Sequence, residues 1–478
     1  MDPIVPRVRF APSPTGLMHL GNVRAALMNY LFAHKNNGTF VLRIEDTDTE
    51  RNCDPNAQKI IHDLNWLGLT PDEGPVQGGP YAPYFQSQRN NLYQEQIEHL
   101  KDLGHIYRCF CTAEDLEKKR QRQIALKQPP RYDRTCLHLP PEKITELVAE
   151  KVPFIWRVKL DHAQTVTIHD LGHGSINFEL KNFSDFAITR QDGSFTFMFA
   201  NFVDDMLMKI THIFRGEDHL SNTAGQAALY TIYKLKLPVY YHLPIICNID
   251  GKKLSKRDFG FALDDLQNAG YLPEAILNYL TIIGGGAFQE EIMPIDVLAQ
   301  AYDFNNVHST GHIRYDVEKL RWINHKWIER LEPATLTTYC KPFIIAAYPQ
   351  AEILNDETIT MLIQTIKSDL ISLKDVVHLL NFYFNAPENS EALLKEHIPH
   401  EVMTDIKAII AKHLPEMDDA KLFVENIKRE AKLTSVSIKH LFTYVRIALM
   451  DSPQGPGIVE LITMLGTEQA RKRLQAVA

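Results

Sequence analysis

Residues 7–32 read "RVRFAPSPTGLMHLGNVRAALMNYLF", and this stretch decides the fold of the first part of the chain. Its apolar start predicts a short buried strand, the prolines and glycine predict a loop, and the later apolar spacing predicts a helix from about Asn22 to Ala33. A second apolar stretch, "FVLRIED" at residues 40–46, predicts another strand. Strand, helix and strand in this order are typical of a parallel sheet.

Further elements follow this unit. The stretches "DFAITR" (185–190) and "SFTFMFA" (194–200) flank "QDG" and predict an antiparallel hairpin, which indicates an insertion in the sheet. The parallel pattern then resumes with a helix in "NFVDDMLMKITH", a strand in "IFRGED", a capped helix and a strand in "LPIICNI". From about residue 320 the apolar residues fall at helical spacing, which predicts an all-helical second part.

Composition is that of an ordinary globular protein. The chain has 478 residues, 45% of them hydrophobic and 23% charged, and its length predicts about three domains. No apolar run reaches the roughly 18 residues of a membrane helix, and the start lacks the form of a signal peptide, so we expect a cytoplasmic protein without a membrane partner. The six cysteines are too sparse for a disulfide scaffold.

The formal net charge of -8 argues against indiscriminate binding to nucleic acid but leaves room for a selective partner. One local exception is the basic stretch Lys118–Arg134, which has seven Lys or Arg residues and a single Asp. Without further context, such a stretch indicates a solvated basic helix.

The start of the first helix has the residues of a phosphate site. Ligands of open parallel sheets bind beyond the carboxyl ends of strands, where a helix start offers free N–H groups and a partial positive charge. Gly16 and Gly21 would allow a phosphate-bearing ligand to approach the backbone, and His19 and Asn22 would supply donors. Neither a Walker-type phosphate loop nor a GxGxxG dinucleotide motif occurs in the chain.

A second motif, "DGKKLSKRD" at residues 250–258, places Lys253, Ser255 and Lys256 in a loop. Together the two motifs resemble the paired "HIGH" and "KMSKS" signatures of class I aminoacyl-tRNA synthetases. The ordered set "RFAPSPTG", "RIEDTD", "RGEDHLSNT" and "KLSKR" is similar to the glutamyl-tRNA synthetase family in particular. The resemblance extends over the whole chain, because the length and the helical second part also fit the bacterial-type enzyme.

This resemblance implies an α/β fold, with a Rossmann-like parallel-sheet catalytic domain, an inserted α+β domain and an all-α anticodon-binding region at the C-terminal end. We expect the catalytic domain at residues 1–88 and 202–248, an acceptor-stem-binding insertion at 89–201 and a stem-contact domain with the lysine loop at 249–332. The anticodon-binding region would follow at 333–478, in two subdomains that meet near residue 380.

Members of this family join glutamate to ATP, with Mg²⁺, and pass the glutamyl group to the terminal ribose of a tRNA. The resemblance therefore implies a monomeric glutamate–tRNA ligase whose partners are L-glutamate, ATP and tRNA-Glu, tRNA-Gln or both. The absence of an evident nucleophilic set agrees with this chemistry, because the attacking group is the carboxylate of the substrate. Two alternatives are a paralogue that glutamylates a modified tRNA base and a catalytically silent RNA-binding relative. The helical second part argues against the first, and the intact phosphate motifs argue against the second.

The family pattern assigns the residues of two subsites. The ATP subsite and its catalytic groups match His19, Gly21, Asn22, Asp218, Lys253, Ser255 and Lys256, of which His19, Asn22, Lys253 and Lys256 would be catalytic. The glutamate subsite matches Arg9, Ser13, Glu45, Phe197, Asn201 and Arg215, with the two arginines on the carboxylates. Arginine suits this task because its planar fork binds a carboxylate in two places.

The chain departs from the family at Phe197 and Met198, where Tyr and His are frequent. The missing hydroxyl removes one hydrogen bond that could reach the amino acid, so we expect Arg9 to carry more of the selectivity.

A zinc site is predicted from Cys109, Cys111, Cys136 and His138, three thiols and one imidazole that flank the basic stretch. The alternative is a set of ordinary buried thiols. A subset of the family carries zinc through this pattern, which implies a structural zinc knuckle that presents Lys118–Arg134 to tRNA phosphates.

The choice of tRNA is predicted to depend on Asp369. Discriminating members of the family have an arginine just before the segment that matches "SLKD" here, and an acidic residue cannot hold an anticodon base as arginine does. Relaxed or altered tRNA selectivity is therefore expected.

Overall fold

The computed structural model describes residues 5–48, 50–285, 288–307 and 311–477. The chain forms two compact units. The first contains residues up to Leu266 together with Pro273–Lys319, and the second contains Gln267–Leu272 and the residues from Leu320 on. The finer division of the first unit into catalytic, inserted and stem-contact domains stays a prediction.

The strands of the described residues all belong to the first unit. They are β1 (Arg7–Phe10), β2 (Thr39–Leu42), β3 (Ile106–Cys109), β4 (Ile155–Val158), β5 (Thr165–Asp170), β6 (Gly174–Glu179), β7 (His212–Gly216), β8 (Val239–Leu243), β9 (Ile246–Cys247) and β10 (Ile313–Arg314).

A parallel sheet forms the centre of the first unit. β1 pairs with β2 in parallel, and β7 pairs with β8 in parallel. β1 also lies beside β7, and the N–H of Thr211 donates to the carbonyl of Arg7 at 3.0 Å. The antiparallel pair of β5 and β6 joins this layer through a parallel contact between Asp170 and Tyr240 of β8. The predicted α/β class with a parallel sheet is confirmed.

Eleven helices begin in the described residues of the first unit. They are α1 (Leu20–Lys35), α2 (Gln58–Trp66), α3 (Asn90–Asp102), α4 (Ala113–Ala125), α5 (Pro141–Ala149), α6 (Phe197–Leu207), α7 (Leu220–Ile232), α8 (Leu263–Asn268), α9 (Pro273–Ile282), α10 (Ile295–Ala301) and α11 (Val317–Arg330).

Two local predictions were wrong. The stretch "SFTFMFA" does not complete a hairpin, because α6 begins at Phe197, and an isolated antiparallel bridge between Thr189 and Phe195 remains of the predicted pairing. The reason is the apolar period: Phe199, Phe202 and Val203 are buried at helical spacing, which the short window from 194 to 200 conceals.

The stretch "LPIICNI" is likewise not one continuous strand. β8 ends at Leu243 and β9 contains Ile246 and Cys247 alone. Pro244 lies between them and has no N–H for the ladder, which explains the interruption.

The second unit is helical, as predicted, and no strand occurs in its described residues. Its further helices are α12 (Pro333–Ala347), α13 (Asp356–Ile366), α14 (Val376–Leu379), α15 (Asn381–Phe384), α16 (Ser390–His397), α17 (His400–His413), α18 (Ala420–Leu433), α19 (Ile438–Met450), α20 (Ile458–Leu465) and α21 (Thr467–Val477). Across the described part of the chain, no helix combines the length and apolar character needed to cross a bilayer.

A buried ionic network lies below the carboxyl edge of the sheet. Arg43, which follows β2, contacts Asp205 at 2.6 Å and Glu45 at 3.0 Å. The neighbouring Asp204 accepts hydrogen bonds from Arg89 at 2.6 Å and from the hydroxyl of Tyr93 at 2.8 Å. Buried charges are tolerated when each has such partners, so the network fixes α6 and the segment after β2 relative to each other.

Candidate active site

A cleft of about 840 Å³ opens in the first unit at the carboxyl ends of β1 and β7. It brings together twelve of the thirteen residues predicted for the ATP and glutamate subsites: Arg9, Ser13, His19, Gly21, Asn22, Glu45, Phe197, Asn201, Arg215, Asp218, Lys253 and Lys256. Ser255 does not line the cleft. Its N–H and its hydroxyl both donate to Asp258, at 2.8 and 2.9 Å, so it shapes the lysine loop instead.

The start of α1 is closed by a reciprocal cap. The Nδ1 atom of His19 accepts from the N–H of Asn22, and the Oδ1 atom of Asn22 accepts from the N–H of His19, each at 3.2 Å. A ring that accepts at Nδ1 carries its proton on Nε2, which makes Nε2 a donor. Burial lowers the pKa of His19, and Lys253 lowers it further, so the neutral donor form predominates at neutral pH.

This geometry favours glycine at position 21. A Cβ atom at this position would lie 3.0 Å from two atoms of the His19 ring, Cε1 and Nδ1. A side chain would therefore press on the imidazole and disturb the cap.

The lysine loop is tied to the start of α1 by backbone hydrogen bonds. Beyond the loop, the carbonyl of Phe261 accepts from the N–H of Leu20 at 3.0 Å, and the N–H of Leu263 donates to the carbonyl of Met18 at 2.9 Å. The ring of Phe261 also stacks on His19, with 5.2 Å between the ring centroids. The two sequence motifs thus share one cleft although they are far apart in the chain.

The lysines themselves are positioned for a charged ligand. Lys253 follows a turn in which Asn248 and Lys252 pair, and its Nζ lies 3.4 Å from the carboxylate of Asp218. The Lys253 side chain is 63% exposed, so this surface ion pair contributes little to stability. Lys256 lines the same cleft. Both ammonium groups are available for phosphate oxygens.

Arg9 and Arg215 differ in a way that the sequence does not indicate. The fork of Arg9 is occupied by Asp205, with Nε 3.0 Å from Oδ1 and Nη2 3.3 Å from Oδ2. Arg215 donates from Nη2 to the hydroxyl of Thr223 at 2.7 Å, whereas its Nε and Nη1 have no hydrogen-bond partner among the described residues. The geometry therefore favours Arg215 over Arg9 as the group that receives a carboxylate.

The burial of Arg215 also favours an anionic ligand. Arg215 is 7% exposed, and burial lowers the pKa of its guanidinium to about 10. A buried guanidinium with unpaired donors is costly, and an anionic ligand in the cleft would satisfy it.

An acceptor group for an ammonium lies in the same cleft. Glu45 accepts from Arg43 at 3.0 Å and from the amide of Asn201, whose own Oδ1 accepts from Gln226 at 2.9 Å. Burial raises the pKa of Glu45, against the opposing effect of Arg43. Its carboxyl group would gain from the positive charge of an amino acid.

Phe197 lines the cleft as predicted, at the first position of α6, and its ring lies 5.4 Å from that of His219. Met198 does not line the cleft, and its methyl group packs towards Gly225. The departure from the family pattern thus affects the cleft through Phe197 alone of these two residues.

Several residues that position the site were missed by sequence reasoning. Asp205 holds Arg9, Gln226 holds Asn201, and Thr223 holds Arg215. Asp205 belongs to a pair of acidic residues in an apolar helix, "FVDDML", and this pair was the available signal. Gln226 and Thr223 stand in an ordinary helical context that gives none.

Three of the four predicted metal ligands lie close together. The sulfur atoms of Cys109, Cys111 and Cys136 lie within 4.8 Å of one another, whereas His138 is not a member of this group in the described residues. The hydrogen bond from Cys136 holds the pKa of Cys109 below its ordinary value. Three clustered soft donors of this kind fit Zn²⁺.

The basic stretch forms α4 and the segment after it. Several of its cations are already paired: Lys119 with Asp133, Arg120 with Glu117 and Arg134 with Asp185. Lys118, Arg122 and Lys127 are exposed and form no ion pair with any described residue.

In the second unit, Asp369 ends a short 3-10 segment, Lys367–Asp369, and is exposed. The neighbouring Lys367 donates from its ammonium group to the carbonyl of Leu331 at 2.8 Å. This carbonyl follows the last residue of α11.

Two protein families match this chain. The family described as class I tRNA synthetases (E and Q), catalytic domain, matches residues 6–322, and an anticodon binding domain matches residues 335–478.

Two curated relatives are each named glutamate–tRNA ligase. That of Moorella thermoacetica is 36% identical over 99% of this chain and 98% of the relative, and that of Bacillus pumilus is 35% identical over 98% and 99%. A crystal structure of a glutamate tRNA ligase from Elizabethkingia meningosepticum, in complex with its amino acid, superimposes with a TM-score of 0.87 at 32% identity and covers 99% of both chains. The matched catalytic and anticodon domains and the full-length relatives together show that this chain belongs to the glutamyl-tRNA synthetase family of class I tRNA synthetases.

Proposed function

We propose that this protein is a glutamate–tRNA ligase, which joins L-glutamate to ATP and transfers the glutamyl group to the terminal ribose of a tRNA. The observation that carries the proposal is the cleft itself. It combines a phosphate site, made by the start of α1 and the lysine loop, with a buried guanidinium that lacks an anionic partner among the described residues.

The chemistry follows from these groups. A carboxylate oxygen of glutamate attacks the α-phosphate of ATP, and pyrophosphate leaves, so the protein needs no nucleophile of its own. Its tasks are to hold the two substrates in line and to stabilise the negative charge that grows on the phosphates. The Nε2–H of His19 and the ammonium groups of Lys253 and Lys256 are the donors for that charge. Mg²⁺ bound with ATP would neutralise further phosphate charge.

Recognition of glutamate falls to the deeper part of the cleft. Arg215 lines the cleft without an anionic partner among the described residues and would receive a carboxylate, and Glu45 would receive the ammonium group. Glutamine would leave the guanidinium without a charge partner. The loss of a charge-assisted hydrogen bond is worth about 1.5–3 kcal/mol, or about 10- to 150-fold in binding.

The two alternatives are less well supported. A paralogue that glutamylates a tRNA base would match the catalytic part alone, but the relatives match 98–99% of this chain, and residues 335–478 match an anticodon binding domain. A silent RNA-binding relative would have no use for a cleft with a donor histidine and two lysines. A cytoplasmic location and a monomeric state stay predictions.

For the tRNA, we propose that Lys118, Arg122 and Lys127 contact backbone phosphates, since they have no ion pair with the described residues. Asp369 is exposed in the second unit, where an arginine would read the anticodon of tRNA-Glu in discriminating relatives. We therefore propose that both tRNA-Glu and tRNA-Gln are substrates.

For the metal, we propose that Cys109, Cys111 and Cys136 hold a structural Zn²⁺, with His138 as the fourth ligand that the sequence pattern predicts. His138 and Cys136 belong to the same short 3-10 segment, Thr135–His138. The ion would brace the start and the end of the segment that carries α4.

The phosphate clamp is tested by Lys256→Ala. Loss of one preorganised donor costs about 2.7–4 kcal/mol of transition-state stabilisation, so the rate should fall about a hundredfold or more. The measurement is ATP–pyrophosphate exchange with glutamate and tRNA present. Lys252→Ala is the matched control, because Lys252 stands in the same loop but does not line the cleft. An unchanged exchange rate in Lys256→Ala would refute this role.

The tRNA proposal is tested by charging purified tRNA-Glu and tRNA-Gln with glutamate. The wild type should charge both, and Asp369→Arg should shift the ratio of kcat/KM values towards tRNA-Glu, because an arginine can hold an anticodon base. Ser368→Arg adds the same charge one residue away and serves as the control. Strict charging of tRNA-Glu by the wild type would dispose of relaxed selectivity.

The zinc proposal is tested by metal analysis of the purified protein. The wild type should contain about one equivalent of zinc, and Cys111→Ser should lose most of it, because a tetrahedral site needs all its ligands. Cys53→Ser should keep the wild-type content, since Cys53 is an exposed cysteine outside the cluster. Less than about half an equivalent in the wild type would contradict the site.

A further inference from the structure

Arg215 is held in place from outside the cleft. The hydrogen bond from its Nη2 to the hydroxyl of Thr223, 2.7 Å long, is the one hydrogen bond that the guanidinium makes with the described residues, and its Cζ also lies 5.9 Å from the centroid of the Tyr240 ring. Thr223 lies in the first turns of α7 and is fully buried. The direction of the two unpaired donors, Nε and Nη1, therefore depends on where this hydroxyl is.

Thr223 is in turn the end of a buried hydrogen-bond chain. Its Oγ1 lies 2.9 Å from Nε2 of His242, and Nδ1 of His242 lies 2.7 Å from Oδ2 of Asp170. All three side chains are inaccessible to solvent. This series of hydrogen bonds starts at Asp170, at the end of β5. It continues through His242 on β8 and Thr223 on α7 to Arg215 on β7.

The hydrogen bonds that Asp170 accepts show which nitrogen of His242 carries a proton. Asp170 accepts from the backbone N–H groups of Gly172, His173 and His242, at 2.9, 2.9 and 3.0 Å. Burial works against ionisation, but hydrogen bonds from His242 and these N–H groups hold the pKa of Asp170 below its ordinary value. The carboxylate is thus an acceptor only, and Nδ1 of His242 must be the donor to it.

The direction of the hydroxyl proton of Thr223 follows from the state of His242. Burial lowers the pKa of His242, so its Nε2 is an acceptor at neutral pH. The hydroxyl of Thr223 can donate to this nitrogen at 2.9 Å or to the carbonyl of His219 at 3.2 Å, and the shorter contact is to His242. A hydroxyl that donates to His242 turns a lone pair of its oxygen towards Nη2 of Arg215.

We propose that Asp170, His242 and Thr223 are positioning residues that hold Arg215 in the orientation that binds the carboxylate of the amino acid substrate. This proposal rests on the proposed function, because it assigns the ligand of Arg215. The hydrogen-bond chain fixes Nη2 of the guanidinium, whose Nε and Nη1 have no hydrogen-bond partner among the described residues. It acts on the affinity for glutamate and leaves the phosphate site unaffected, since His19 and Lys253 are held by other contacts.

The test is Thr223→Val, which keeps the shape of the side chain and removes the hydroxyl. The KM for glutamate in tRNA charging should rise about tenfold or more, with the KM for ATP and kcat within about twofold of the wild type. Thr223→Ser restores a hydroxyl and should return the KM for glutamate to nearly its wild-type value.

Thr231→Val is the matched control. Thr231 lies in the same helix, and its hydroxyl donates to the carbonyl of Ala227 at 3.1 Å, away from the chain. This variant should behave as the wild type. Asp170→Asn is a second variant that should raise the KM for glutamate in the same direction, because its NH₂ group would face either the two N–H groups of His242 or those of Gly172 and His173 and cannot accept from them.

The results distinguish this proposal from the proposed function. A wild-type protein that charges tRNA with glutamate, together with an unchanged KM for glutamate in Thr223→Val and Asp170→Asn, would overturn the positioning role alone. A wild-type protein that does not charge tRNA with glutamate would overturn the proposed function. In that case crystal structures of the wild type and Thr223→Val still decide: a displaced Arg215 guanidinium supports the positioning role, and an unmoved one overturns it.

Discussion

The structure of the cleft depends on one buried positive charge that the described residues leave without a negative partner. Arg215 lies at the carboxyl end of β7, where the strand ends in the cleft, and burial makes its unpaired donors costly. The nearby Asp205 would be the obvious partner, but Arg9 and Arg43 already occupy it. An anionic ligand bound in the cleft would therefore stabilise the guanidinium of Arg215.

The phosphate side of the cleft is built by local and distant contacts together. The cap between His19 and Asn22 is local and fixes the start of α1. The backbone bonds from Leu20 and Leu263 are distant in sequence and bring the lysine loop to the same place. Because these bonds involve the backbone, they hold the loop near the helix while the lysine side chains stay exposed for a ligand.

Much of this arrangement could be predicted from the sequence, because short motifs carry it. The strand, loop and helix of residues 7–32, the lysine loop and the helical second unit follow from apolar periods and turn residues. Where local pattern and tertiary packing disagree, the prediction failed: Phe197 starts a helix although its neighbours alternate like a strand. The different states of Arg9 and Arg215 depend on side-chain contacts that no spacing reveals.

The central claim is that the unpaired charge of Arg215 selects the acidic side chain. Its most direct test is calorimetric binding of two stable adenylate analogues, one with the glutamyl and one with the glutaminyl side chain, to the wild type and to Arg215→Gln. We expect the wild type to bind the glutamyl analogue about 10- to 150-fold more tightly and the variant to lose this preference. Equal binding of both analogues by the wild type, or an unchanged preference in the variant, would contradict the account.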